Sequence, residues 1–258
     1  MRISSFLIPF LALVAGLTGF FLRLTELINV YDRATGLAER GAPLTMVLIA
    51  VSAAVLIAAG VYAVRTSMRY TALEGFDDAY GVDSFAYPIA FTVIGFVWLA
   101  ATVSHYLGLS SSGEATGPDT VFAVMSSLAA VSLVFFTVEM YKNPRRKTAF
   151  VLSLVPTLFL CFWLILVYRE NASNPVLLSY AYKCLAIMSA ALGFYFSSGF
   201  VFGKPAVGKV LVSYIAAIYF GLVTLADDHP MSIIMIFSVI VVVNVLYLSM
   251  LIRNLQRR

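Results

Sequence analysis

The chain has 258 residues, of which 61% are hydrophobic and only 12% are charged, and its formal net charge is +4. A soluble domain is nearer half apolar and a quarter charged, so this composition excludes an ordinary soluble protein and predicts an integral membrane protein surrounded by the lipid bilayer. The basic residues stand at the ends of apolar segments, as membrane topology requires, so the positive charge does not indicate binding to nucleic acid.

Eight apolar runs are long enough to cross a bilayer, because a transmembrane helix needs roughly 20 apolar residues. In chain order they cover about 5–29, 43–64, 86–108, 119–141, 148–168, 176–201, 208–227 and 231–252. The first run has no convincing small-x-small cleavage site, so it is predicted as a helix rather than a signal peptide. Only ADDHP separates the last two runs, and two aspartates followed by a proline favour a tight turn. We therefore expect an all-α, polytopic helix bundle that forms a single transmembrane domain over residues 1–258, with no soluble domain.

The basic residues divide unequally between the two sets of loops. If the N-terminus is cytoplasmic, the other side of the membrane receives only Arg33, Arg40 and Arg169. The cytoplasmic side then collects Arg2, Arg65, Arg69, Lys142, Arg145, Arg146, Lys147, Lys204, Lys209, Arg253, Arg257 and Arg258. The positive-inside rule therefore predicts a protein of the inner or plasma membrane with both termini in the cytoplasm, and its spans read as four helical hairpins.

The longest cytoplasmic connection is RTSMRYTALEGFDDAYGVDSFAY, which contains Glu74, Asp77, Asp78 and Asp83. We expect a solvated loop here. A short interfacial helix, or a contact with a partner protein, is the alternative for this segment.

The sixth span contains a lysine, Lys183, seven positions from the start of LLSYAYKCLAIMSAALGFYFSS. Residues before and after Lys183 at helical spacing lie on the same face as the lysine, and all of them are small. This face is formed by Ser179, Lys183, Ala186, Ala190, Gly193 and Ser197. Small residues mark close helix packing in membranes, so we place Lys183 on a packed face rather than toward lipid.

Four further ionisable residues are predicted at the same depth as Lys183. Arg23 and Glu26 are three apart on the first span, where they can pair, and His105 ends the third. Asp228 follows Thr224 at helical spacing on the seventh span. In the predicted topology Arg23, Glu26, His105, Lys183 and Asp228 all lie in the outer third of the membrane or at its boundary, and they form the candidate site.

Two interpretations of these residues remain open. In the first, they form buried ion pairs that fix how the helices pack, with end residues reaching the headgroups. In the second, they line a cavity open to the outside that binds a polar or anionic ligand, with the hydroxyls of Tyr106, Tyr180 and Tyr182 nearby.

The sequence predicts no catalytic residue, no metal site and no cofactor, because it lacks a zinc motif, a nucleotide fingerprint and a nucleophile motif. Cys161 and Cys184 stand inside apolar runs and do not predict a disulfide. The leading function is therefore binding or transport of a small polar solute. The alternative is a structural or regulatory protein that binds another membrane protein through its small-residue faces, and an intramembrane enzyme comes third.

Overall fold

The computed structural model describes residues 4–31, 39, 41–69, 75–82, 84–142, 146–172 and 177–255. Within them the chain forms the helices α1 (Ser4–Asn29), α2 (Pro43–Arg69), α3 (Phe76–Tyr80), α4 (Ala86–Ser112), α5 (Gly117–Lys142), α6 (Arg146–Asn171), α7 (Leu177–Val201), α8 (Val207–Thr224) and α9 (Met231–Asn254). All of these except α3 are long and apolar enough to cross a membrane, so the prediction of an all-helical bundle with eight candidate spans is confirmed.

The seventh span ends earlier than predicted, because α8 stops at Thr224 rather than continuing to residue 227. The next three backbone N–H groups, of residues 225–227, donate to carbonyls three residues earlier at 3.1–3.2 Å. Such bonds tighten the chain into a turn and end the regular rise of the helix. Pro230 then precedes the first residue of α9. Side chains beyond Thr224 are therefore placed by the turn and not by helical spacing.

Helix α8 is the centre of the bundle, since it packs against α1, α2, α7 and α9 and most of its side chains are buried. Glycines allow this close packing. A Cβ atom on Gly19 of α1 would stand 2.6 Å from a methyl of Val223, and one on Gly221 would stand 2.5 Å from a methyl of Val241 on α9. The small residues read from the sequence thus mark helix contacts inside this chain.

Large apolar side chains cover the outside of the helices. Phe10, Phe21, Ile57, Phe96 and Phe135 are each more than half exposed. A soluble monomer rarely exposes so much apolar surface, whereas hydrocarbon solvates it without cost. The burial pattern therefore agrees with the apolar composition in indicating a bilayer around the bundle.

The segment predicted as a solvated loop instead inserts a short helix, α3, into one end of the bundle. Phe76, Ala79 and Tyr80 are buried, while Asp78 stays exposed. The Nδ2 group of Asn254 donates to the carbonyls of residues 79 and 81, both at 3.0 Å, and so ties α3 to the end of α9. The prediction of a solvated loop is wrong for this part, because its apolar residues have the i, i+3, i+4 spacing of a buried helical face. Glu74 and Asp83 lie outside the described residues.

The bundle has two ends with different chemistry. The Arg23 end contains the last turns of α1, α4 and α8 and the first turns of α2 and α9, joined by contacts between Arg23 and Asp227 and between His105 and Ser232. The α3 end contains α3, the last turn of α9 and the connection between α7 and α8. The candidate site lies at the Arg23 end.

The close contact at Gly19 makes a first prediction. We expect Gly19→Val to lower the free energy of unfolding by about 1–3 kcal/mol, because the added atoms overlap Val223 and the ring of Tyr219. Gly60 of α2 is the matched control, since nothing lies within 4 Å of the place its Cβ would take. Thermal unfolding in detergent measures both variants. Equal losses from Gly19→Val and Gly60→Val would contradict the packing of α1 on α8.

Candidate functional site

The guanidinium of Arg23 lies at the centre of the site and is joined to two carboxylates. Its Nε donates to Oδ1 of Asp227 at 2.8 Å, and its Nη1 donates to Oε2 of Glu26 at 2.8 Å. The same Nη1 also donates to the hydroxyl of Tyr31 at 3.2 Å. Arg23 and Glu26 are each only 1% exposed, so this is a buried ion cluster. Charges removed from solvent are tolerated only when they are paired in this way.

Each carboxylate receives a second hydrogen bond from a threonine. Thr45, in the first turn of α2, donates its hydroxyl to Oε1 of Glu26 at 2.6 Å. Thr224, the last residue of α8, donates to Oδ2 of Asp227 at 3.1 Å. These hydroxyls hold the carboxylates toward Arg23, so the cluster joins α1 to α2 and to the turn after α8.

Two tyrosine rings enclose the guanidinium. The Arg23 Cζ atom lies 5.2 Å from the ring centroid of Tyr31 and 5.2 Å from that of Tyr182 on α7. A cation near an aromatic face is attracted by the quadrupole of the ring, and more strongly when water is excluded. Tyr182, predicted as a hydroxyl donor, thus also brings its ring to Arg23. Tyr106, the second predicted donor, instead accepts a hydrogen bond from Thr120 at 3.4 Å.

One donor of the cluster is unsatisfied. Nη2 of Arg23 is buried and has no hydrogen-bond partner among the described residues. A buried donor without an acceptor costs free energy, and a charged donor costs more than a neutral one. An acceptor atom brought by a ligand or by water would remove this cost, so Nη2 is a point where a ligand could gain affinity.

Lys183 stands on α7 directly after Tyr182 and is partly buried. Its charge interacts with the carboxylates of Glu170 and Asp227 and with the imidazoles of His105 and His229. In the part of the chain that the structure describes, it forms no hydrogen bond and no ion pair. Lys183 is therefore a second cationic group at the Arg23 end whose donors are not used by described neighbours.

His105 lies beside the ion cluster rather than in it. Its Nδ1 is 3.1 Å from Oγ of Ser232, at the start of α9, and its ring meets the ring of Phe122 with centroids 5.7 Å apart. The histidine thus helps to join α4 to α9 at the Arg23 end. The charge of Lys183 acts both on His105 and on Asp227, the partner of Arg23.

His229 is a titratable group of the site that the sequence reasoning missed. Its Nε2 is 3.3 Å from Oγ1 of Thr224, whose own proton goes to Asp227. Nε2 of His229 must therefore carry the hydrogen and donate it to Thr224. Burial first, and the charge of Lys183 second, lower the pKa of His229 to about 4. The imidazole is thus neutral at neutral pH.

Besides Glu26, the acidic partner of Arg23 is Asp227, whereas Asp228, the neighbouring aspartate that was predicted as a site residue, does not contact Arg23. Asp228 is exposed, and its charge acts on His229 instead. The spacing of four from Thr224 assumed that α8 continues, and α8 ends at Thr224. Burial raises the pKa of Asp227, although the guanidinium of Arg23 opposes that shift. The only signal for Asp227 in the sequence was its position next to Asp228, since either aspartate of the pair could have faced the site.

A second buried polar cluster occupies the α3 end and was not foreseen as a unit. The hydroxyl of Tyr80 donates to Oγ of Ser197 at 3.0 Å and lies 3.2 Å from the hydroxyl of Tyr214, which also hydrogen-bonds to Ser197. Burial raises the pKa of Tyr80. These groups are neutral, and beside them, near Tyr247, is a cavity with room for about one water molecule. The cluster therefore contributes to helix packing, in agreement with the prediction that Ser197 lies on a packed face.

The fold and the site define a multi-pass helical membrane protein with a buried ion cluster at one end. Comparison with known proteins adds nothing to this description: no family model matches the chain, no curated protein matches it, and no solved structure matches its fold.

The pairing of Arg23 makes a second prediction. Asp227→Asn keeps the shape of the side chain and removes its charge, so we expect a loss of about 3–5 kcal/mol of stability, as when a buried ion pair is broken. Asp228→Asn is the matched control and should leave the unfolding temperature unchanged, because Asp228 is exposed. Thermal unfolding in detergent compares the two. A larger effect at Asp228 would contradict the assignment of Asp227 to Arg23.

The low pKa of His229 makes a third prediction. Between pH 6.5 and about 4 the unfolded chain takes up a proton on this histidine while the folded chain does not, so the group lowers stability as the pH falls through that window. Asp227, with its raised pKa, acts in the opposite direction. We expect the wild-type protein to lose more of its unfolding temperature than His229→Gln over this window. Parallel curves for the two proteins would show that His229 is not buried as described.

Proposed function

We propose that this chain is a multi-pass protein of the cell membrane that binds a small polar or anionic solute at the Arg23 end, as a transporter or as the membrane-binding subunit of one. The observation that carries the proposal is the buried Nη2 donor of Arg23, which has no hydrogen-bond partner among the described residues. Lys183, which has no partner among the described residues, supplies a second cation at the same end.

The chemistry of these donors favours an oxygen anion. A guanidinium donates preferentially to carboxylate and phosphate oxygens, and an ammonium acts as a compact point charge for the same groups. Glu26 and Asp227 already balance the charges of Arg23 and Lys183, so a strongly anionic solute would bring excess negative charge. A solute with one acidic group and further polar groups therefore fits the site best.

The proposed orientation places the Arg23 end outside, with four helical hairpins and both termini in the cytoplasm. What supports it is the distribution of exposed cations. Lys204, Lys209 and Arg253 lie at the α3 end, and Arg65 and Arg69 end α2, whose last turns lie beside the start of α8. Cytoplasmic loops carry this excess of lysine and arginine. The proposed solute site would then face the outside of the cell.

Binding to another membrane protein, the first alternative, has less support. It relied on small-residue helix faces, but a Cβ on Gly16, Gly19 or Gly221 would meet other helices of the same chain. The acidic segment was its second basis, and α3 packs within the bundle. These surfaces are therefore used internally.

An intramembrane enzyme remains the third hypothesis. One described pair has the separation of a base and a nucleophile, namely His105 Nδ1 and Ser232 Oγ at 3.1 Å. A third group should orient the base, and Asp119 is the carboxylate whose charge acts on His105. However, Oδ2 of Asp119 already accepts two hydrogen bonds from Thr116. Solute binding therefore explains more of the charged residues.

A ligand screen with Lys183→Met tests the proposal and is the fourth prediction. Purified protein is heated with acetate, aspartate, inorganic phosphate and neutral sugars, and the unfolding temperature is recorded. We expect at least one acidic solute to stabilise the wild-type protein. Lys183→Met should weaken that binding about tenfold or more, as loss of a charged hydrogen bond does. Lys209→Met, at the opposite end, is the matched control and should bind as the wild type does.

Two results would overturn the proposal. If Lys183→Met fails to fold while Lys209→Met folds normally, Lys183 supports the structure and the solute site loses its main residue. If a stabilising solute binds Lys183→Met and wild type equally, the solute binds elsewhere.

A further inference from the structure

A groove of about 460 Å³ opens at the α3 end, between α6, α7 and the start of α8. Its apolar wall includes Leu154, Phe196 and Phe202, of which Phe202 is 45% exposed. Two lysines, Lys204 and Lys209, stand at the same groove. The groove therefore combines an apolar wall with two cations.

Backbone geometry sets where Lys204 leaves α7, and a ring contact places Lys209. Gly203 adopts the left-handed conformation with φ of +68°, and the backbone N–H of Lys204 donates to the carbonyl of Gly199 at 2.8 Å. This arrangement closes the C-terminus of α7 and fixes where the next residue leaves the helix. Lys209 lies in the first turn of α8, and its Nζ is 5.4 Å from the ring centroid of Phe196. The main-chain positions of both lysines are therefore defined at the edge of the groove.

Among the described residues, those that line the groove include no aspartate or glutamate to neutralise these lysines. Neither lysine forms an ion pair in the part of the chain that the structure describes. Two uncompensated cations beside an apolar wall attract an anion that also has an apolar part. A free phosphate ion would satisfy the lysines and leave the wall uncovered, and a neutral lipid would do the reverse.

We propose that this groove binds one anionic glycerophospholipid, with its phosphate at Lys204 and Lys209 and an acyl chain along Leu154 and Phe202. Basic pockets between membrane helices on the cytoplasmic side are the kind of site that holds acidic headgroups. The aromatic side chains fit the same occupant, since Tyr195 and Phe196 also line the groove and such residues are enriched where headgroup and hydrocarbon meet. The site rests on the proposed orientation, which places the α3 end on the cytoplasmic side, but it is separate from the Arg23 end and does not depend on solute binding there.

Native mass spectrometry of the full chain tests this site and makes the fifth prediction. The protein is released from detergent micelles that contain equal amounts of phosphatidylglycerol and phosphatidylcholine. We expect the wild-type protein to retain one phosphatidylglycerol. The double variant Lys204→Gln with Lys209→Gln should retain it about 30-fold less, which corresponds to two contacts of about 1 kcal/mol each.

Two controls distinguish binding at this groove from a general effect of positive charge at the α3 end. Arg253→Gln removes an exposed cation at the same end but outside the groove, and it should retain the lipid as the wild type does. Replacing both lysines by arginine keeps the charge and should also retain it. Circular dichroism and the unfolding temperature establish that the double glutamine variant is folded.

Several outcomes would overturn the lipid site. Equal retention of phosphatidylcholine would show that the lysines do not select the headgroup, and equal losses in Arg253→Gln and the double variant would show a diffuse charge effect. Displacement of the bound lipid by an excess of inorganic phosphate would indicate a free-anion site. Retention of a second protein chain in place of lipid would identify a protein interface.

Discussion

The buried guanidinium of Arg23 is the interaction on which the Arg23 end depends. It belongs to α1, but its partners come from the turn after α8, from the loop that follows α1 and from α7. Removing one charge from water costs several kcal/mol, and only a complete set of partners offsets that cost. The cluster therefore sets a condition on the assembly: α1, α7 and α8 must reach their final relative positions before the charge is stable there.

Helix α8 can bring several helices into their final positions, because its polar side chains point in different directions and each bonds to a different neighbour. Tyr214, Tyr219 and Thr224 follow one another at intervals of five residues, and five residues turn a helix by about 140° beyond a full turn. Tyr214 meets the hydroxyl cluster of α3 and α7, and Tyr219 lies 2.9 Å from the hydroxyl of Ser52 on α2. Thr224 holds Asp227 for Arg23. In a bundle without a hydrophobic driving force between helices, such hydrogen bonds and close glycine contacts decide which helices are neighbours.

Helical spacing predicted the parts of the fold and site that lie inside helices. Hydropathy located eight of the nine described helices, and the interval of three between Arg23 and Glu26 gave their ion pair. Helical spacing did not identify Asp227, because the chain after Thr224 forms a turn and its side chains no longer follow a helical period. Hydropathy also gave the short helix α3 only as an alternative to a solvated loop, since five residues are too few for it to separate a buried helix from a loop. Partners distant in sequence, such as Thr45 for Glu26, cannot be read from any local pattern.

The two cations of the Arg23 end, buried Arg23 and partly buried Lys183, differ in what their neighbours supply. Arg23 has two carboxylates, a tyrosine hydroxyl and two aromatic rings from its own chain, so its first task is structural. Lys183 is within electrostatic range of Asp227 and Glu170 but donates no hydrogen bond to either carboxylate. A lysine kept in a membrane helix without a direct partner costs stability that packing alone would not require. Because Tyr182, its neighbour in sequence, contacts Arg23, a ligand held by Lys183 would also bear on the ion cluster. Solute binding and the packing of α7 on α1 and α8 would then be coupled through adjacent residues of one helix.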